Sequence, residues 1–251
     1  MNYNAIRDRL VEHGQTLFAA PRQTVQFTRL PEADALLNDL IAHPHAFVLA
    51  CIMDRQVKAE KAWVIPYRIS ERLGDFSMKS LCSLSQADVN RLMSQPEPLH
   101  RFVDNMSLYF RSAVQRISSQ YAGDAARIWG GNPSSAEVVY RFLEFDGVGP
   151  KIANMAANIL ARDFKIKLAD FFSIDISADV HVRRVFARLG LCSTDANVEQ
   201  VIYKAKALHP AFPGMMDFPC WEIGRTWCSA SDPECGPCYM RELCPTAGGR
   251  G

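Results

Sequence analysis

No stretch of this 251-residue chain is long and apolar enough to span a bilayer. Its longest uninterrupted apolar run, Ala46 to Met53, falls far short of the about 20 residues required. The N-terminal residues Asn2, Asn4, Arg7, Asp8 and Arg9 supply no apolar signal core. A cytoplasmic protein with no membrane partner is therefore expected. Net charge is nearly absent, because 28 Lys+Arg stand against 27 Asp+Glu, leaving +1. That excludes a global attraction to polyanions. Any nucleic-acid binding must come from local patches and oriented backbone dipoles. Internal repeats and low-complexity linkers are missing, and strand signals are few.

What is present is helical periodicity and a core's worth of apolar residues, 48% of the chain. Val138, Val139, Phe142 and Leu143 share one helical face. Ile152, Met155, Ala156, Ile159 and Leu160 share another. Ser134 and Glu137 form a capping-box pattern before the first of these helices. Pro96 with Pro98, and Gly130-Gly131 with Pro133, mark loops. An all-α fold is expected. The tail Gly248 to Gly251 is expected to be disordered.

Four of the eight cysteines are clustered. Cys228, Cys235, Cys238 and Cys244 follow the spacing Cys-x6-Cys-x2-Cys-x5-Cys. In a reducing compartment such thiols read as metal ligands rather than disulfides. Zinc knuckles usually pair ligands at short spacing, and only Cys235 and Cys238 do so here. The longer arms suit a cuboidal 4Fe–4S cluster, one thiolate to each iron. Zinc, or no metal, are the alternatives. Cys51, Cys82, Cys192 and Cys220 are isolated and read as small buried hydrophobes.

A second informative stretch is Phe145-Asp146-Gly147-Val148-Gly149-Pro150-Lys151. One helix ends, two glycines make a tight turn, and Pro150 fits the first position of the next helix. Backbone N–H groups at such a helix N-terminus make an anion site, although an ordinary helix–helix loop looks the same. Further on stand Ala178-Asp179-Val180-His181 and Gly224-Arg225-x-x-Cys228.

These three ordered landmarks resemble the endonuclease III family of helix-hairpin-helix DNA glycosylases with an iron–sulfur cluster loop. The resemblance covers residues 145 to 244, and more weakly reaches back to about residue 46. It implies two helical lobes. A six-helix barrel over 38–164 would carry the hairpin, at about 136–163. A cluster-bearing lobe would form from both chain ends, 1–37 and 165–251, with the cluster loop at 228–244. The implied activity is base-excision repair by a bifunctional N-glycosylase and abasic-site lyase. Such an enzyme flips out a damaged base, excises it through a lysine Schiff base and nicks the strand by β-elimination. The alternatives are a single-function glycosylase for a mismatched or alkylated base, and a non-catalytic DNA-binding or redox-sensing module of the same fold. The implied partner is double-stranded DNA with a damaged, mismatched or abasic site, bound by a monomer in the cytoplasm at the nucleoid.

By the same resemblance Lys151 stands at the nucleophile position. Asp179 stands where a carboxylate stabilises positive charge developing on the sugar. Lys151 as a phosphate contact and Asp179 as a helix cap are the structural alternatives. Asp175 is a rival carboxylate, and His181 reads as structural. Gly147, Val148, Gly149, Arg183, Arg184 and Arg188 are implied to meet the DNA backbone. Leu108 is implied to wedge into the helix, with an ordinary core leucine as the alternative; Met53, Asp54, Arg55 and Gln56 are implied to line the base pocket, with Asp54 and Arg55 paired on a helix surface as the alternative. Met53, Asp54 and Arg55 are unusual for the family, and so is Asp146, which replaces a proline. The interval from Lys151 to Asp179 is longer than usual, with a Lys- and Phe-rich insert around Asp163 to Ser173 that is expected to reshape the cleft floor.

Overall fold

The computed structural model describes residues 2–248. Met1 and the last three residues of the glycine-rich tail lie outside the described residues, and Gly248 ends a short helix, Pro245–Gly248. The described residues form helices and turns, with no strand among them. No helix among them is long and apolar enough to cross a membrane. They group into two compact units. The central unit comprises Arg22–Pro133 and Tyr140–Ala156. The terminal unit comprises the chain up to Pro21, Ser134–Val139, and the chain from Ala157 onward.

The central unit is built around the helix Pro44–Met53, every residue of which is buried. Pro44 occupies its first turn, where a missing N–H costs nothing. Its apolar run Ala46–Met53 has no polar face, so it can be satisfied only inside a shell of other helices. Those include Pro31–Asn38, Ile65–Leu73 and Val103–Gln120. Phe27 stacks on Trp63 at 4.4 Å, and Phe47 meets both rings. The chain leaves the helix sharply. Arg55 N–H donates back to Met53 O at 2.7 Å, and Gln56 takes a positive φ of 53°.

The terminal unit packs Tyr3–Ala19 with Val180–Arg188 and Asp217–Thr226 around Ile6, Leu10, Val185, Phe186, Cys220 and Ile223. Gly224 lets two of these helices approach closely. A Cβ there would lie 2.7 Å from His181 Cβ. The Lys- and Phe-rich insert is fastened within this unit. Phe171 stacks on Phe212 at 4.8 Å. Lys165 Nζ donates to Leu17 O and Phe18 O, covering carbonyls at the end of Tyr3–Ala19. Ser135 Oγ donates to Asp170 and accepts from Ser173 N–H.

Candidate active site and cysteine cavity

The hairpin joins the helices Ser135–Leu143 and Pro150–Arg162. Ser134 Oγ accepts from Glu137 N–H at 3.2 Å, as the capping pattern requires. In the turn, Val148 N–H donates to Phe145 O, and Ile152 and Ala153 N–H both donate to Gly149 O, each at 3.0 Å. Gly147 has φ +80°, and a Cβ on it would stand 2.6 Å from the Tyr109 ring. Glycine is needed there for both reasons. Arg55 lies over the Tyr109 ring at 5.5 Å and donates to Gly147 O at 2.5 Å. Asp146 accepts from Ser112 Oγ.

Lys151 is the second residue of its helix, and its Nζ lies 2.9 Å from Asp54 Oδ2. Asp54 is the residue after Pro44–Met53 and is buried, whereas the lysine side chain is 38% exposed. Asp54 and Arg55 therefore do not pair with each other on a helix surface. Each reaches the hairpin, one to its lysine and one to its turn. Met53 is fully buried, and Gln56 is exposed. The three residues of Ser107-Leu108-Tyr109 are separated by their helix. Ser107 is buried, Leu108 is 51% exposed, and Tyr109 lies against the turn. Leu108 is thus not a core leucine.

Asp179 caps the helix Val180–Arg188. Its Oδ1 accepts from His181 N–H at 2.8 Å and Val182 N–H at 2.9 Å. Its own N–H donates to Ser177 O. Ser177 in turn donates its N–H and Oγ–H to Asp217, which is buried at the first position of Asp217–Thr226. Burial pushes the Asp217 carboxyl up, Ser177's donated bonds oppose this, and nearby Asp179 adds to it. Asp217 was not singled out in the sequence. Its signal was a lone acid inside the apolar run Met215 to Cys220. Asp175 is tied to Lys206 at 3.1 Å, and burial raises its carboxyl as well.

The arginines are committed to the protein's own acceptors. Arg183 donates to Ala196 O. Arg184 donates to Cys228 O and Gly224 O and meets His181 Nδ1. Arg188 donates to Cys228 Sγ at 3.2 Å, to Ser229 O at 2.6 Å and to Ala230 O at 2.7 Å.

Cys228, Cys235, Cys238 and Cys244 line one cavity of about 350 Å³, counting its opening to solvent, with Val185, Ile223 and Trp227 among its walls. All eight cysteines are free of disulfide bonds. Burial pushes the Cys238 thiol up, and the other three thiols add to that as like charges. Among the described residues no group of three or more His, Cys, Asp or Glu is arranged to hold a single metal ion. Four soft donors spread around a cavity fit the donor set of an iron–sulfur cluster. Cys51 and Cys220 are fully buried, and burial pushes both thiols far up.

Known proteins are similar to this chain in sequence and in fold. No family model matches the chain. It is 30% identical over 184 residues to the chloroplastic endonuclease III homolog 2 of Arabidopsis thaliana, covering 70% of this chain and 42% of that protein. It is 28% identical over 156 residues to endonuclease III of Synechocystis, covering 58% of each. The chain thus spans less than two thirds of either relative. A structure of a trapped endonuclease III–DNA covalent intermediate superposes with a TM-score of 0.64 at 20% identity, covering 100% of this chain and 99% of the other. The fold is that of the helix-hairpin-helix DNA glycosylases. In sequence the chain is similar to these two endonuclease III proteins over part of their length.

Proposed function

We propose that this chain is a base-excision repair enzyme, a DNA N-glycosylase that is also an abasic-site lyase. The observation that carries the reading is Lys151, which combines the hairpin motif with a partly exposed amine at the start of the second helix. Its lone pair, once the proton has gone, attacks C1′ of the sugar and forms a Schiff base, from which β-elimination nicks the strand. Asp179 stabilises the positive charge that develops on the deoxyribose as the base leaves. The turn Gly147-Val148-Gly149 holds a phosphate through the backbone N–H groups of Gly147 and Gly149, the Val148 N–H being bonded to Phe145 O, and exposed Leu108 fills the gap left by the flipped nucleotide. The substrate is double-stranded DNA bearing a damaged, mismatched or abasic site, and the protein acts as a monomer in the cytoplasm at the nucleoid.

Cys228, Cys235, Cys238 and Cys244 hold a 4Fe–4S cluster. When bound, the cluster supplies four iron–thiolate bonds that staple the loop after Asp217–Thr226. The chain's own part is to position the thiols, with Arg188 donating to Cys228 Sγ.

Borohydride trapping on duplexes carrying an abasic site or a panel of damaged bases tests the reading. A covalent adduct that disappears in Lys151→Ala is expected. Base loss revealed only by alkali, with no adduct on any duplex, would make the enzyme a single-function glycosylase. Neither product, despite DNA binding, would make it a silent module.

A further inference from the structure

The lysine and its carboxylate each sit at the wrong end of a helix. Lys151 is in the first turn of Pro150–Arg162, where the helix dipole opposes a positive charge. Asp54 follows the last turn of Pro44–Met53, where the dipole opposes a negative one. The Asp54 side chain is also 9% exposed, so water does little to relieve it. Among the described residues neither side chain has another hydrogen-bond partner. Each charge is held by the other. Moving one proton from nitrogen to oxygen would remove both misplaced charges at once.

We propose that Asp54 is a catalytic residue, the general base that takes the proton from Lys151 before the amine attacks. This rests on the lyase reading above and assigns a step that the reading leaves open. The Nζ–H bond breaks and an O–H bond forms on Asp54 Oδ2, 2.9 Å away. The freed lone pair adds to the C1′ aldehyde of an abasic site, and an amine proton passes to the former carbonyl oxygen, giving a carbinolamine. Asp54 then returns its proton to the departing hydroxyl. Water leaves, a protonated Schiff base remains, and Asp54 is a carboxylate again. Asp179 is less suited to this task, because its Oδ1 already accepts two backbone N–H bonds.

Other titratable and charged groups near the pair are Cys51, Arg55 and His100. Burial, with Asp54 adding, pushes the Cys51 thiol far up, so it stays protonated. Arg55 is occupied by Gly147 O. Burial pushes His100, beside the Arg55 and Met53 backbone, down. None of them competes for the lysine's proton.

The test is single-turnover borohydride trapping on an abasic duplex across neutral to alkaline pH, with duplex affinity measured alongside. Asp54→Asn is expected to slow trapping at neutral pH by roughly 10²-fold or more, the usual weight of a positioned general base. With the rates compared at saturating duplex, the deficit should shrink toward alkaline pH as solvent takes over the deprotonation. Asp54→Glu, which keeps the carboxylate, should recover most of the rate, and added formate should partly rescue Asp54→Ala. An Asp54→Asn protein that traps as fast as the parent, or faster, overturns the proposal. So does a deficit that is the same at every pH and is relieved by neither Glu nor formate. Lys151→Ala separates the two readings: an adduct that survives it, or none from the parent chain, sinks the lyase reading and this step with it.

Discussion

Asp54 and Asp179 are both carboxylates beside helix ends, and they stand at opposite ends. Asp179 precedes Val180–Arg188, where the dipole welcomes a negative charge and two backbone N–H groups donate to it. Asp54 follows Pro44–Met53, where the dipole repels it, and it depends on a lysine amine. The first is held in place by its own segment. The second exists as half of a pair. The arginines divide in a similar way. Arg55 steadies a turn that carries a candidate nucleophile, whereas Arg184 and Arg188 clamp the segment that enters the cysteine loop. Residue type does not assign the role in either case. The helix end and the available donors do.

The contrast can be broken at several points. The largest effect is expected at Asp179. Asp179→Ala should lower single-turnover base release about 10²–10³-fold, the usual weight of a well-placed charge-stabilising group. It should also cost about 1 kcal/mol of stability through the lost cap. Asp179→Asn keeps an acceptor for His181 and Val182, so it should lose the activity while melting near the parent. If Asn preserves the rate, Asp179 is a cap and nothing more.

Next in size is the hairpin turn. Gly147→Ala forces a side chain into positive φ and against the Tyr109 ring, and should cost about 1–3 kcal/mol in denaturant unfolding. Gly149→Ala meets open space and should change stability by a few tenths at most, on the order of an ordinary surface substitution. Equal costs at the two glycines would show that the turn is not held by the Arg55–Tyr109 contact.

Arg188→Ala removes donors from Cys228 Sγ, Ser229 O and Ala230 O. A loss on the order of 1–2 kcal/mol is expected and, in protein carrying the proposed cluster, faster iron release to a chelator. Unchanged iron retention would mean that the loop's own backbone suffices.

The smallest effect is a pH dependence in the central unit. Burial pushes the His45 imidazole below its ordinary value, while Nε2 donates to Phe76 O at 2.7 Å. As pH falls below about 6.5, the unfolded chain takes up this proton before the folded one. The stability His45 contributes is therefore present above that pH and lost as pH falls through its folded value. Between pH 7 and pH 5 the parent should lose stability relative to His45→Gln, by no more than about 1.4 kcal/mol per pH unit. Parallel melting curves would show that His45 does not titrate on unfolding.

Much of the helical framework was legible because its signals are local. Pro150 at a helix start, the Ser134 cap and the apolar spacing from Ile152 to Leu160 each act within one or two turns. The four-cysteine spacing is just as local, and all four thiols line one cavity. The Leu108 reading was open in the sequence, since an exposed and a buried leucine look alike there. Asp217 was missed because a buried carboxylate declares itself only through its donor, Ser177, 40 residues away.

The sequence by itself therefore determined the all-helical class, the hairpin and its lysine, and the clustered thiols. All of these are written in periodicity, propensity and short spacing. Only the tertiary structure decided what those groups touch. Lys151 and Asp54 are 97 residues apart in the chain, and Arg55 and Gly147 are 92. No local pattern encodes such pairs. They follow from burying the apolar helix Pro44–Met53, which carries the two residues after it to the hairpin.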